Sequence, residues 1–557
     1  PTSKPQTTML LRRAARRLRA PGTRALSAMP TSFADYAEAD ETMQDYAGNV
    51  RRLGRLLGER VAANQEGAAV VAVVERFRHH AKKYRDAREA GDEAEAAKTF
   101  ESMASEIASL APGTLRDVAR SFAHFLALSN AAEQEHRVRR LEAHRGDGAP
   151  LYPGKTDSCA GTLDYLLDEE HVDMTKIEAA LAAQQLEIVL TAHPTEVNRR
   201  TILSKHRRVA ELLAKRPDTQ GYERHEVDRE LAGVVSALWG SDELRRAKPS
   251  PQQEARGGLA VVETSLWEAV PDFLRRLDAT LKARGGRLPL TSAPVRLASW
   301  MGGDRDGNPN VTAPVTRETV AAQRRMAAGL LLVELDALRT DLSMKQCTAP
   351  VTQLAEQSGA PSLDKLDAPY KAILDGLVGR LRATVAWADN ELSSDNALKD
   401  FPKESRNSLA SRFGRVAKAD GVKGKAPLFD ESELLEPLQA MHASLCATGF
   451  EDWAEGRLVD TIRRVGAFGL QLAPLDVRQE STRHANAIDA LRAYAGVGEP
   501  GSYIAMSDDE KVAYLSQELS TNRPLLRRGQ LEELVKGDFI PDAVDRDVLA
   551  TALVVAE

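Results

Sequence analysis

A chain of 557 residues is too long for one small core, so several packed layers are required. Its formal net charge of −6 is small for that length and gives no sign of nucleic-acid or polyanion binding. Cys159, Cys347 and Cys446 are far apart, odd in number and without metal-ligand spacing, which argues for a reducing compartment and against a disulfide framework or a zinc site.

Up to Ala34 there is no acidic residue, while Arg12, Arg13, Arg16, Arg17, Arg19 and Arg24 alternate with Leu10, Leu11, Leu18 and Leu26. That composition is either an organellar transit peptide beginning near Met9 or a leader without an address. The chain opens on Pro1 rather than Met, as a fragment would. Beyond the leader, aromatic residues are scarce and apolar residues recur at intervals of three and four, which predicts a mostly helical protein of enzyme size. No apolar run is long enough to span a bilayer.

Helical spacing dominates from residue 35 to about 145, clearest over 70–88 and 110–140. His79 and His80 are neighbours that point to different helix faces and read as a solvated pair, and His136 reads as a structural residue in a charged face. A Gly/Pro-rich connector covers 146–154. The spacing then predicts a helix over 174–185 feeding a strand over 187–192, and a basic helix over 196–216 stopped by Pro217. Further helices are predicted over 226–244, 263–281, 316–342 and 482–494, with a second strand over 295–301 and a third over 468–475. Residues 359–425 alternate helices with polar loops, and 419–427 is a Lys/Gly-rich connector. Each predicted strand ends in charged or reactive side chains, and in α/β barrels chemistry sits at such strand ends.

The first exit is His193-Pro194-Thr195-Glu196. Proline holds His193 extended, and Thr195 can cap the helix that follows. A helix N-terminus disfavours an imidazolium, and a neutral imidazole is what a general base requires; the alternative is a buried histidine hydrogen-bonded at the junction. The second exit, Gly302-Gly303-Asp304-Arg305-Asp306-Gly307-Asn308-Pro309, surrounds charges with turn formers. Its glycines permit close backbone approach to a ligand, and Arg305 could hold a phosphate or carboxylate in bidentate fashion. Asp304 and Asp306 either hold Mg²⁺ or orient Arg305. Arg478, between Asp476 and Glu480, marks the third exit and by itself reads as a structural ion pair.

Taken together, these segments resemble one family. Val189-Leu190-Thr191-Ala192-His193-Pro194-Thr195-Glu196, followed by Arg199-Arg200, is similar to the active-site histidine motif of phosphoenolpyruvate carboxylase. The run from Ser299 to Pro309 matches a second hallmark without a gap, and Phe468-Gly469-Leu470 with Leu475 to Ser481 matches a third. Weaker matches are Asp242-Glu243-Leu244-Arg245-Arg246 and the segment from Gly258 to Arg276.

The resemblance implies a largely α-helical enzyme around an eight-stranded β/α barrel, usually a homotetramer. It implies carboxylation of phosphoenolpyruvate with bicarbonate to oxaloacetate and phosphate, with Mg²⁺ or Mn²⁺, and neither nucleic acid nor membrane as partner. Bicarbonate would attack phosphorus to give carboxyphosphate and the enolate of pyruvate, and by motif position His193 would then take the proton of carboxyphosphate. Arg478 and Arg305 are the expected anion contacts. Arg199, Arg200 and Arg245 match positions linked to sugar-phosphate activation in plant-type members. The family's acidic metal ligands and mobile loops fall in motifs of its later half, so no metal ligand is expected here.

The expected organisation is therefore a leader over 1–34, a helical region over 35–145, and the first part of the barrel, about three strands, over 146–557. Such a part is expected to be inactive and aggregation-prone alone, with open strand edges. The resemblance implies a cytoplasmic enzyme, whereas the leader points to a mitochondrion or plastid. Rival readings are a phosphate-accepting His193 and a non-catalytic homologue serving as a regulatory or structural subunit.

Overall fold

A computed structural model describes residues 41–64, 67–143, 158–191, 199–243, 249–358, 368–392 and 425–556. The leader, the 146–154 connector and most of the 419–427 connector lie outside the described residues. The first helices are α1 (Glu41–Ala62), α2 (Gly67–Glu89), α3 (Glu93–Ser109), α4 (Pro112–Ala143), α5 (Cys159–Asp164) and α6 (Met174–Ala183). Strand β1 (Leu186–Leu190) follows, then α7 (Arg200–Lys215), α8 (Gly221–Trp239), α9 (Pro251–Val261), α10 (Trp267–Lys282) and β2 (Val295–Ser299). The remainder is α11 (Ala313–Asp341), α12 (Ala349–Gln357), α13 (Pro369–Glu391), α14 (Ser432–Ala447), α15 (Val459–Phe468), α16 (Ser481–Tyr494), α17 (Asp508–Ser520), α18 (Arg528–Lys536) and α19 (Ala543–Ala556). The mostly helical expectation holds, and no described helix is long and apolar enough to cross a membrane.

Two compact units result. The first contains α1 to α5, α7 and α8, and the second contains α6, β1 and everything from α9 onward. The described residues 199–243, placed by sequence with the barrel region, group with the N-terminal helices.

The first unit is built by heptad-like spacing. Val50, Leu53, Leu57 and Val61 line one face of α1 and are buried with Val70, Val73 and Phe77 of α2. Val209, Leu212 and Leu213 of α7 join Val227, Leu231, Val235 and Leu238 of α8 in the same core. Each such side chain contributes roughly 1.5–3 kcal/mol when fully buried, which is what fixes the register of helices that lack strong caps. Asp92 caps α3 by accepting a hydrogen bond from the Glu95 amide at 3.0 Å. Asp228 receives Arg216 Nε at 2.6 Å, and that donor holds its carboxyl below the usual range. His136 is buried against Tyr46, with ring centroids 5.4 Å apart, in keeping with a structural role.

One cluster in this unit is expected to make its stability depend on pH. His124 is buried, with Nε2 2.8 Å from Glu243 Oε1, and Arg120 Nε donates to that same oxygen at 2.8 Å while its guanidinium lies over the Trp239 ring. Burial holds the His124 imidazole below its usual range, with Arg120 adding to the effect and Glu243 opposing it. Burial likewise lowers His206, helped by His124. Both rings are therefore neutral in the fold near pH 7, while the unfolded chain protonates them near about 6.5. Below that pH the unfolded state binds protons that the fold refuses, so stability falls as pH drops and is flat above. Denaturation followed from pH 8 to 5 is expected to show this loss, and His124→Gln should make it shallower, leaving the part due to His206. An unchanged slope in that variant would show that the ring is not the source.

In the second unit one helical path runs from Pro251 to Lys282 through a single π-helical turn at Val262–Leu266. Ser250 and Gln253 close a capping box at its start, with Pro251 at the first turn, where a missing N–H is harmless. Pro271 lies within α10 and cannot donate to the Trp267 carbonyl four residues earlier. Arg464 Nε supplies the missing donor at 3.1 Å, and its Nη2 reaches Glu268 at 2.8 Å. Helix α11 is buried over most of its length and packs against α13, as a central helix must when apolar residues occur on every face.

The described sheet is small. Strands β1 and β2 pair in parallel, Leu186 opposite Val295 through Leu190 opposite Ser299. On the other side of β2, Leu475 bridges Ser299 and Arg478 bridges Asp304, both in parallel. The strand predicted over 468–475 is thereby corrected. Phe468 ends α15, Gly469 turns the chain at φ 56°, Leu472 takes φ 59°, and extended backbone survives as two bridges. Pro474 has no N–H for a ladder, and its carbonyl accepts from Ser299 N at 2.9 Å. Leu186 and Ile188 of β1 are exposed, whereas Leu297 and Ala298 of β2 are buried.

Candidate functional site

Three parallel segments, ordered β1, β2 and 475–478, put their C-terminal ends side by side in the second unit. The Trp300 amide donates to the Leu190 carbonyl at 3.0 Å, so the β1 exit adjoins the β2 exit. His193 lies three positions beyond Leu190, among residues 192–198 outside the described set. The helix expected to begin at Glu196 is described from Arg200 onward.

Past β2 the chain folds into a tight loop whose backbone is held on both sides. Gly303 and Asp304 amides donate to the Trp300 carbonyl at 3.0 and 2.9 Å. Arg478 N donates to Gly303 O at 3.2 Å, and Arg305 N donates to Arg478 O at 3.0 Å, which is the rung joining the second and third exits. Two glycines are required here for different reasons. Gly302 takes φ 85° with Thr319 Oγ1 only 2.3 Å from where a Cβ would stand, and at Gly303 a Cβ would lie 2.3 Å from the Asp476 carbonyl.

Arg478 is the side chain this rim presents. It is half exposed, its guanidinium carbon sits 4.2 Å above the Trp300 ring, and Nη1 is 3.7 Å from Asp304 Oδ2. Trp300 is itself pinned, since its indole N–H donates to Asp476 Oδ2 at 3.0 Å. A guanidinium stacked on an aromatic face keeps its in-plane donors available, the geometry that suits a phosphate or carboxylate. Trp300 and Asp476 belong to the quoted motifs, but nothing local assigns them to aiming Arg478.

Arg305 goes the other way. It is 4% exposed, and its Nη1 donates to Gly303 O at 2.7 Å and its Nη2 to Thr551 Oγ1 at 2.6 Å, with Asp547 Oδ2 at 3.5 Å. Burial pulls this guanidinium below the usual arginine range, while Asp547 and Asp304 oppose that pull. Asp306 sits in the loop at φ 38°, a turn position, and Asp304 faces Arg478. Among the described residues no group of three or more His, Cys, Asp or Glu side chains could hold a metal ion, so the divalent ion expected of the family finds no complete ligand set in them.

Of the remaining candidate arginines, Arg199 and Arg200 are in the first unit. Arg199 pairs with Asp242 at 2.9 Å and is partly exposed, Arg200 opens α7 with its side chain outside the described set, and Arg245 lies outside the described residues.

The family model described as phosphoenolpyruvate carboxylase matches residues 47–538. A phosphoenolpyruvate carboxylase of Ectopseudomonas mendocina is 39% identical over 526 residues, 93% of this chain and 52% of that protein. One from Hahella chejuensis is 38% identical over 511 residues, 91% of this chain and 51% of the other. A third, from Enterobacter sp. strain 638, is 38% identical over 483 residues, 86% and 49%. The chain thus spans about half the length of the curated relatives it matches. The match runs through the β1 exit, the glycine loop and the Arg478 segment alike, and on that ground the chain belongs to the phosphoenolpyruvate carboxylase family.

Proposed function

We propose that this chain carries the histidine and a phosphate-binding arginine of an enzyme that carboxylates phosphoenolpyruvate with bicarbonate. The observation that carries the reading is Arg478, half exposed and stacked on Trp300 at a rim shared with the β1 exit that leads to His193. In this reading Arg478 neutralises the phosphoryl group as bicarbonate oxygen attacks phosphorus and the bond from phosphorus to the enol oxygen breaks. Carboxyphosphate and the pyruvate enolate result. His193 accepts the carboxyl proton of carboxyphosphate, which releases CO₂ and phosphate, and the enolate carbon attacks CO₂. Water must be kept out, because protonation of the enolate gives pyruvate instead.

We further propose that β1, β2 and the 475–478 segment are neighbouring strands of a larger parallel barrel. Exposed Leu186 and Ile188 on β1 support this, since apolar side chains at a parallel edge are normally covered on both faces. The family's divalent ion and homotetramer belong to the same proposal. The test is phosphoenolpyruvate-dependent incorporation of labelled bicarbonate into acid-stable product, run on this chain alone and on a polypeptide extended to the relatives' length. Fixation by the extended protein is expected. Its absence there would leave a non-catalytic homologue as the better account.

A further inference from the structure

Arg305 reads from sequence as a second substrate contact, yet its side chain is spent inside the protein. Its two terminal nitrogens reach Gly303 O and Thr551 Oγ1, and Asp547 supplies the counter-charge. Gly303 O is the same carbonyl that receives the Arg478 amide, so one acceptor joins the buried arginine to the rim arginine. Asp547 also fastens the base of this arrangement, because its Oδ1 accepts from the Ala313 amide at the start of α11 at 2.7 Å. Thr316, one turn along α11, donates to the Gly302 carbonyl at 2.8 Å. The glycine loop is therefore held from beneath by α11 and α19 together.

We propose that Asp547 and Thr551 are positioning residues for Arg478. They hold Arg305, Arg305 holds Gly303 O, and Gly303 O holds the Arg478 backbone from which the exposed guanidinium is aimed. The role in catalysis rests on reading Arg478 as a phosphate ligand; the mechanical linkage does not. The chemistry favours this division of labour. A buried guanidinium with satisfied donors is a rigid strut, whereas a stacked and half-exposed one can exchange water for an anion.

The linkage is tested by Thr551→Val, which conserves volume and removes the acceptor for Arg305, with Thr551→Ser as the variant that restores it. Arg483→Gln is the control. Arg483 of α16 reaches Asp545 in the first turn of α19 and Asp542 just before it, at 3.1 Å each, without touching Arg305, so its loss loosens the same helix elsewhere.

In this chain, amide hydrogen exchange at Arg305 and Arg478 should be about tenfold faster in Thr551→Val, near wild type in Thr551→Ser and unchanged in Arg483→Gln. Unchanged exchange in Thr551→Val, or equal acceleration in Arg483→Gln, overturns the linkage. In the chain extended to the relatives' length, Thr551→Val should raise KM for phosphoenolpyruvate about tenfold, with kcat changed far less. A proportional loss in kcat alone, with KM held, would overturn the positioning role. Failure of the wild-type extended protein to fix bicarbonate overturns the carboxylase reading instead, while the exchange experiment still decides the linkage.

Discussion

With asparagine at position 193, oxaloacetate formation is expected to be abolished while bicarbonate-dependent cleavage of phosphoenolpyruvate persists. The amide is close to imidazole in reach and can still donate a hydrogen bond, but it cannot take a proton near neutral pH. In the proposed sequence the histidine enters after the phosphoryl group has moved. Attack on phosphorus should therefore survive, and carboxyphosphate, lacking its base, should hydrolyse to bicarbonate and phosphate while the enolate is protonated to pyruvate. Loss of a general base slows the step it serves by roughly 100- to 10,000-fold. The measurement pairs a pyruvate-coupled assay with an oxaloacetate-coupled assay on the chain extended to the relatives' length. Parallel loss of both products would move His193 to an earlier step, and rapid-quench capture of phosphohistidine in the wild type would make it a nucleophile.

The largest stability effect is expected at a residue no motif contains. Asp278 is buried on α10 and accepts from the Leu288 amide at 2.8 Å, with Lys282 Nζ 3.1 Å and Arg463 Nη2 3.3 Å away. Arg463 is equally buried, and burial lowers its pKa while Asp278 raises it. Asp278→Ala leaves that cation without its nearest carboxylate and should cost about 3–5 kcal/mol, the usual penalty for breaking a buried ion pair from one side. Replacing both partners, Asp278→Leu with Arg463→Met, should cost clearly less, since no charge is then stranded. Chemical denaturation of this chain reads both. A single-variant loss under about 1 kcal/mol would show that the pair is screened by other groups.

Chain-local signals served well for some elements and poorly for others. The alternation of apolar and charged residues located the helices of the first unit, because a helix face is written at intervals of three and four whatever it packs against. The two strands stood out as short β-branched runs bounded by turn residues and were found within one or two residues at each end. The third was misread because Phe468 to Leu475 is apolar like a strand, while Gly469 and Leu472 take left-handed φ values that end the helix and bend the chain.

What the sequence by itself determined is the helical character, two of the strands, the glycine loop and, through the motifs, the family. Tertiary structure alone decided that Arg478 faces outward over Trp300 while Arg305 turns inward. Arg305 finds its partner 246 residues further on, at Thr551, and Arg464 mends the carbonyl freed by Pro271 from 197 residues away. The physical reason is that a periodic pattern encodes which face of an element is buried, whereas the fate of a buried charge depends on which acceptor the fold brings to it. Two arginines in similar acidic, turn-rich settings cannot be told apart until that acceptor is in place.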